Sequence, residues 1–476
     1  MEQMDEWVQD ALDLIEFAKG AADTKWGAIR AELGHEAPFK LEYLGIGNEE
    51  VGAGFFERYP LFHRAIREKY PEIKLINSAS PFVAGGEFRR GWESARENGS
   101  DLIDEHYYLA PEWFIANHHH YDHKPPFIKT KVFLGEYASW GNTWYNALAE
   151  ASYMIGLERN AERVGLACYA PLFCNVDYKN WAPDMIWFDN HRAYVTPNYH
   201  VQKLFMVNQG DTLIECSVET EEQNQIWADK LGHEIYLKPQ QGAVVEYTNI
   251  RVYDGGREIR HDDILLRDKD APVKLADITS EDYCIKLSAR MIKGIRGFMI
   301  YFDYADDENK RSWEIGGWQN MDCAVCEDMD GRNTCLDEAM FSVEKGIKYE
   351  LMLDVHGRNI VSYISEPGRS ALMNRPKKTL IEVEPVYCSA SVEKESGDVI
   401  VKAVNLFENG RDCEISVDRE IRSAEVSAMY GYADDAQNCF AKPDAVKPIQ
   451  GEVQVKDGKV KFFMEGRSVY IFRLKA

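Results

Sequence analysis

The sequence predicts an α/β domain followed by all-β domains, and three observations carry that reading. Over residues 1–207, short β-rich apolar runs alternate with amphipathic helical stretches, the pattern of parallel strands joined by crossover helices. After Gln209 the texture changes to period-2 alternation punctuated by Gly, Asp and Asn. The length of 476 residues is also too great for one ordinary domain and sufficient for about three.

The α/β part opens with a helix over 5–19, where Trp7, Leu12, Ile15 and Phe17 hold apolar positions and Gly20 supplies the stop. A strand at 40–46 follows, then a helix at 55–69, a strand at 73–77, a helix at 88–97 and a strand at 102–106. The alternation continues with a helix at 111–117, a strand at 131–135, a helix at 142–160, a strand at 164–169 and a helix at 199–207. In the second half, alternating runs at 234–237, 244–252, 297–302 and 349–355 predict sheet, and the stretch is too long for one small sandwich, so two are expected. A boundary falls near Lys378, where Pro376-Lys377-Lys378 precedes a fresh strand at 379–383.

Composition excludes several classes. With 45% hydrophobic and 28% charged residues, 34 Gly and 17 Pro, the chain is globular rather than collagen-like or disordered. The 55 Lys and Arg against 79 Asp and Glu leave a net charge of −24, which disfavours nucleic acid, whose binding depends on basic contacts, and leaves neutral ligands easiest to accept. Twelve per cent aromatic residues suit either flat stacking platforms or plain packing. No run of 18 apolar residues exists, so no membrane span is expected. Met1-Glu2-Gln3-Met4-Asp5-Glu6-Trp7 lacks the basic and apolar regions of a secretory signal, and the chain as written reads as cytoplasmic. Ten cysteines without repeated spacing read as reduced or incidental thiols, Cys323-x-x-Cys326 with nearby Cys335 being the one pair with metal or redox spacing. His118-His119-His120 with Asp122 and His123 is dense enough to hold a divalent ion, yet it follows a helix and reads as a solvated loop. Asp303, Asp306, Asp307 and Glu308 read as an acidic turn rather than a Ca²⁺ site. No phosphate loop, dinucleotide fingerprint or Ser-His-Asp signature occurs, so no metal and no cofactor are expected.

Two strands end alike, in Leu41-Glu42-Tyr43-Leu44-Gly45-Ile46-Gly47-Asn48-Glu49 and in Lys131-Val132-Phe133-Leu134-Gly135-Glu136, each placing a Glu just past an apolar strand. In a parallel α/β fold the C-terminal strand ends carry the active site, so Glu49 and Glu136 can converge there. Two converging carboxylates are the minimum equipment for glycoside hydrolysis, while the bland alternative is a pair of solvated loop acids. Asn48 offers an amide for a sugar hydroxyl, and Asp104-Glu105-His106-Tyr107-Tyr108 adds an imidazole and a phenol at a third strand end. Trp140 is either a sugar-stacking face or a core residue.

The runs Gly47-Asn48-Glu49, Asp104-Glu105-His106-Tyr107-Tyr108, Gly135-Glu136-Tyr137-Ala138, Ala170-Pro171-Leu172-Phe173, Trp187-Phe188-Asp189-Asn190 and Thr196-Pro197-Asn198-Tyr199 together resemble α-L-arabinofuranosidases of glycoside hydrolase family 51. The resemblance implies that residues 1–207 are a partial (β/α)8 barrel, strands four to eight, of the retaining clan, with the chain opening inside the third helix. It implies Glu49 as acid/base, Glu136 as nucleophile, and His106, Tyr108 and, less securely, Trp140 as sugar contacts. Burial and mutual repulsion are expected to raise the pKa of Glu49, and donors such as Tyr108 to keep Glu136 ionised. A start inside the barrel leads one to expect a truncated chain with impaired activity, and makes the missing signal peptide uninformative about secretion.

Gly297-Phe298-Met299-Ile300-Tyr301-Phe302 and Trp313-Glu314-Ile315-Gly316-Gly317-Trp318 resemble, more loosely, the concanavalin-like or laminin-G-like jelly-roll β-sandwich that some members carry as an insert, here 217–380. That module either binds glycan through residues such as Trp318 or is structural. Residues 208–216 and 381–476 resemble the family's C-terminal β-sandwich. The expected activity is exo-release of terminal α-L-arabinofuranosyl groups from arabinose-containing plant glycans. The alternatives are an inactive or carbohydrate-binding fragment, a subunit completed by another polypeptide, and an endo-acting glucanase or xylanase of the same family. Relatives are often homo-oligomers, and nothing in this sequence decides that point.

Overall fold

A computed structural model describes residues 4–122, 128–366, 368 and 370–475. The first domain is built on a five-stranded parallel sheet in sequential order, β1 (Tyr43–Gly45), β2 (Lys74–Ser78), β3 (Leu102–Leu109), β4 (Lys131–Ser139) and β5 (Val164–Tyr169). Its helices are α1 (Met4–Lys19), α2 (Lys25–Glu32), α3 (Ala53–Lys69), α4 (Gly86–Asn98), α5 (Pro111–Ala116), α6 (Trp144–Arg159) and α7 (Pro197–Val207). Each β-to-β step therefore passes through a helix, as parallel pairing requires. β1 and β5 are the edges of this sheet among the described residues.

Three elements differ from the sequence reading. Helix α2 lies where none is expected, because its stability is tertiary: Thr24 caps it, and Arg30, buried, donates to the carbonyls of Phe17, His35 and Glu36. β1 is shorter than expected, since only Tyr43–Gly45 finds a partner in β2. A small sheet of Phe173–Asn175, Ile186–Phe188 and Ala193–Val195 follows β5, too short to register as periodicity.

The β half contains two separate sheet pairs. A six-stranded sheet runs from Val273–Asp277 at one edge to Arg332–Met340 at the other, and it packs on a seven-stranded sheet containing Val244–Asp254, Asp282–Lys293 and Lys348–His356. Their inner faces form one apolar core around Trp313, Phe298, Tyr247 and Tyr349. We refer to this unit as the insert. The chain enters and leaves it through the paired strands Gln225–Trp227 and Ile381–Val383. Beyond it, a six-stranded sheet takes its edge strand, Thr212–Ile214, from the other side of the insert in sequence, pairing it with Tyr387–Val392. A three-stranded sheet, Arg411–Ile415, Lys459–Met464 and Val455–Lys456, completes this C-terminal sandwich.

α6 is buried along nearly its whole length, as a helix apolar on all sides must be. One face meets the parallel sheet and another meets Ile400, Val404 and Ile471 of the C-terminal sandwich, so the two domains share a single core. No described helix is long and apolar enough to cross a membrane.

The cysteine and acidic motifs of the insert are absorbed by its packing. Cys323 accepts the indole N–H of buried Trp313 at 3.1 Å, and Cys326 faces Cys335 across neighbouring strands. Asp303 accepts from Arg311 at 2.7 Å and Tyr283 at 2.7 Å and pairs with Lys378, while Asp306 caps its own turn through Asn309. This acidic run is therefore spent on ion pairing and turn closure.

Candidate active site

The C-terminal ends of β1, β3 and β4 bring four side chains together. After β1 the chain turns through Gly47, whose φ is +84° and whose added Cβ would lie 2.6 Å from the Phe55 ring, so only glycine fits. Glu49 follows with φ +51°, a left-handed conformation that costs a non-glycine residue about 1–2 kcal/mol. The turn is held by Glu50 N–H donating to Ser78 Oγ at 3.0 Å, at the end of β2. This backbone aims Glu49 at β3.

On β3, alternation puts Asp104, His106 and Tyr108 on one face and Glu105 and Tyr107 on the other. The second pair is buried against helices, where Glu105 accepts from Trp92 Nε1 at 2.8 Å and Tyr121 OH at 2.6 Å. The first set faces the site. β4 pairs with β3 in parallel, but the register slips between Glu105 and His106, so Leu134 lies opposite Glu105 and Glu136 lies opposite His106. The extra residue is Gly135, whose N–H donates to Asp104 Oδ1 at 3.1 Å and whose Cβ, if present, would lie 2.1 Å from that oxygen. Without this bulge Glu136 would point to the helix side, because one residue of slip reverses the face. Glu136 thus lies within β4, three residues before its end, rather than past the strand.

His106 is buried at the centre. Its Nδ1 is 2.9 Å from Glu49 Oε1 and 3.6 Å from Glu136 Oε2, and its Nε2 is 3.1 Å from Asp104 Oδ2. Tyr108 OH donates to Glu136 Oε2 at 2.7 Å. Ligand atoms of Glu49, His106 and Glu136 all lie within 4.8 Å of one another. Burial opposes charging of His106, but the hydrogen bonds to Asp104 and Glu49 and the charges of Asp104 and Glu136 outweigh it, pushing its pKa up to about 9. The hydrogen bond from His106, joined by its charge, holds the Glu49 carboxyl below its ordinary value against the desolvation that acts the other way. This corrects the expectation of a raised Glu49. The sequence shows the second carboxylate but not the imidazolium wedged between them. Burial, then the Glu136 carboxylate, pushes the Tyr108 hydroxyl far up, so it stays a donor.

Trp140, half-buried, packs by ring against Tyr108 with centroids 5.9 Å apart. Two residues that sequence reasoning missed complete this wall. Trp181 touches both Tyr108 and Trp140, at 5.4 and 5.0 Å, and the Arg332 guanidinium of the insert sits 5.3 Å over the Trp140 ring. Neither carries a local signal, since each arrives from a distant segment. Asp104, which orients His106, was also missed, although it lies two residues away on the same face of β3. Asn48 lies exposed in the turn, and Glu49 rather than Asn48 makes the contact with β3.

The histidine run lies in a turn, as expected, but it is only partly solvated, His119 being exposed. His118 is buried, His120 Nε2 lies 3.2 Å from Tyr107 OH, and His118 and His119 both reach Glu384 of the segment after Ile381–Val383. His123 lies outside the described residues.

The profile described as the α-L-arabinofuranosidase C-terminal domain matches residues 135–468, and that of the α-L-arabinofuranosidase 1 domain matches residues 1–126. The chain belongs to the α-L-arabinofuranosidase family. A family relative, the extracellular exo-α-L-arabinofuranosidase of Streptomyces chartreusis, is 36% identical over 423 residues, 84% of this chain and 50% of that protein. α-L-Arabinofuranosidase 1 of Arabidopsis thaliana is 36% identical over 222 residues, 45% of this chain and 31% of its own. The chain thus spans about half the length, or less, of these curated relatives. Among solved structures, an arabinose-bound family 51 enzyme aligns over 100% of this chain and 52% of its own, with TM-score 0.57 at 17% identity. The arabinose complex of the Thermotoga maritima α-L-arabinofuranosidase aligns over 98% and 73%, with TM-score 0.56 at 13% identity. At those identities the likeness is one of fold, and it is the family's fold.

Proposed function

We propose that this chain carries the machinery to release terminal α-L-arabinofuranosyl groups from arabinose-containing plant glycans by retaining double displacement. The observation that carries the reading is the convergence of Glu49 and Glu136 on His106, their ligand atoms within 4.8 Å of one another. Retaining glycosidases need two carboxyls about 5–5.5 Å apart, whereas inverting ones need about 6.5–9.5 Å to admit a water between them. The names of the relatives support the substrate class.

In this reading Glu136 attacks the anomeric carbon while its second oxygen remains hydrogen-bonded to Tyr108. Glu49 must deliver a proton to the leaving oxygen, and His106, whose pKa is pushed up to about 9, can supply one from 2.9 Å away. Transfer from His106 Nδ1 to Glu49 Oε1 primes the acid, and Asp104 on the far nitrogen keeps the imidazole oriented. Formation of the ester removes the charge of Glu136, after which Glu49 accepts a proton from the incoming water and the sugar leaves with its configuration retained. The wall of Tyr108, Trp140 and Trp181, extended by Arg332 of the insert, suits the apolar face of the sugar beyond the scissile bond.

The test is hydrolysis of an aryl α-L-arabinofuranoside by residues 1–476. Glu136→Ala is expected to abolish turnover, and Glu49→Gln to slow substrates with poor leaving groups by about 10²–10⁴-fold while sparing activated aryl leaving groups. Near-parental activity in Glu136→Ala would overturn the nucleophile assignment. The competing reading, glycan binding without turnover, rests on Trp318, 60% exposed on the insert. Binding of an arabino-oligosaccharide by a parent chain that hydrolyses nothing would favour it.

A further inference from the structure

A second cluster of titratable groups lies apart from the acid pair in sequence and shares no residue with it. It follows the C-terminal end of α5, where the chain leads into the N-terminal end of β4, and its members are His118, His119 and Glu384. We propose that these three residues form a binding site for a divalent transition-metal ion of the zinc class, clamping the α/β domain to the C-terminal sandwich.

His118 Nδ1 lies 2.9 Å from the carbonyl oxygen of Ile115, and His119 Nδ1 is hydrogen-bonded to Asp122 Oδ2. A carbonyl oxygen can only accept, so the His118 ring carries a proton on Nδ1, whereas His119 Nδ1 lies between the acceptor Asp122 Oδ2 and the donor Arg159. In a neutral His118 ring that leaves a lone pair on Nε2. Both Nε2 atoms face the same oxygen, Glu384 Oε1, at 3.0 and 2.9 Å. An acceptor oxygen shared by two ring nitrogens at that range is held either by protons on the rings or by a metal cation among the three atoms. Fixing Nδ1–H on a carbonyl or carboxylate is also how metal-binding imidazoles are generally oriented. Arg159 extends the shell, reaching Asp122 Oδ2 at 3.1 Å and His119 Nδ1 at 2.8 Å.

Bonds of about 2.0–2.1 Å in a tetrahedral site put ligand atoms about 3.3 Å apart, so accommodating the ion needs shifts of a few tenths of an ångström. Two imidazoles and one carboxylate suit Zn²⁺ and poorly suit Mg²⁺ or Ca²⁺, which favour all-oxygen sets. Two of the ligands come from the α5–β4 connection and the third from the segment after Ile381–Val383, so the ion ties two domains.

The test uses the full chain, stripped with a chelator and titrated with ZnCl₂ by calorimetry and thermal unfolding. One equivalent binding with micromolar or tighter Kd is expected, with a rise of a few degrees in Tm and no response to MgCl₂. The equivalent should be lost in Glu384→Gln and, independently, in His119→Gln, both of which keep the side-chain volume. No binding at about 0.1 mM Zn²⁺ overturns the proposal and leaves the cluster a proton-filled ion pair. Binding that persists in both variants also overturns it, placing the ion elsewhere, at Glu49, His106 and Glu136 or at the Cys216–Cys388 pair.

Discussion

The α/β domain makes two joints of opposite character. Against the C-terminal sandwich it presents α6, whose Trp144 is fully buried with its Nε1 donating to Arg467 O at 3.1 Å, and whose Leu148 and Ile155 merge with Ile400, Val404 and Ile471 into one core. Even the charge there is internal, Lys402 being buried against Glu158 and donating to Phe205 O at 3.1 Å. Against the insert it presents polar groups and isolated rings. Glu338 accepts the Glu87 N–H at 2.6 Å at the start of α4, Arg89 pairs with Asp337 at 3.2 Å, Phe82 meets exposed Trp318 edge-on, and Arg332 covers Trp140. The first joint is a shared core, which substitution damages by leaving cavities. The second is a polar contact that reaches the side chains of the candidate site, through Arg332 over Trp140.

The largest expected effect tests the shared core. Trp144→Ala should cost about 3–5 kcal/mol of unfolding free energy in urea, because a buried aromatic leaves a cavity the joint cannot close. A loss below about 1 kcal/mol would mean the two domains fold independently. Next, Arg332→Ala should lower kcat/KM on an arabinose-decorated xylo-oligosaccharide about 5–10-fold, the value of a lost stacked contact, while an aryl arabinofuranoside and urea stability change little. Equal losses on both substrates would remove the insert from the leaving-group side.

The smallest effect concerns pH. Burial, then the Glu338 and Glu87 carboxylates, pushes Asp322 up to about 7, and burial raises Glu338 as well. A carboxyl with a raised folded pKa stabilises fully below its unfolded value, about 4, and loses that contribution as pH rises through the folded value. Tm should therefore fall as pH rises from about 5 to 8. Glu150, buried behind β4, is likewise pushed up to about 7 by burial, so Asp322→Asn is the variant that isolates the joint's share. If that variant does not flatten the slope, the insert joint is not electrostatically strained. Glu338→Ala sharpens the same comparison, since removing an anion from a helix start should cost about 1 kcal/mol or less.

Much of the site was legible. The run Asp104-Glu105-His106-Tyr107-Tyr108 offered an imidazole and a phenol at a strand end, and two apolar strands each leading into a Glu pointed to the C-terminal end of the sheet. The histidine run was legible as a cluster, but neither the burial of His118 nor the gathering of His118 and His119 at Glu384 was, because Glu384 is far along the chain. The bulge at Gly135 left no trace beyond a glycine, and α2 none at all, since its buried Arg30 is satisfied only by carbonyls of the folded neighbourhood.

By itself the sequence determined the α/β-then-β order, the acidic pair and the family, because periodicity and strand-end motifs are written in adjacent residues. Only the tertiary structure decided that Glu136 turns inward, that an imidazolium holds Glu49 low, and that Arg332 of the insert lies on Trp140. Those outcomes depend on register and on contacts between segments far apart in the chain, and Coulomb and packing energies depend on distance in space rather than separation in sequence.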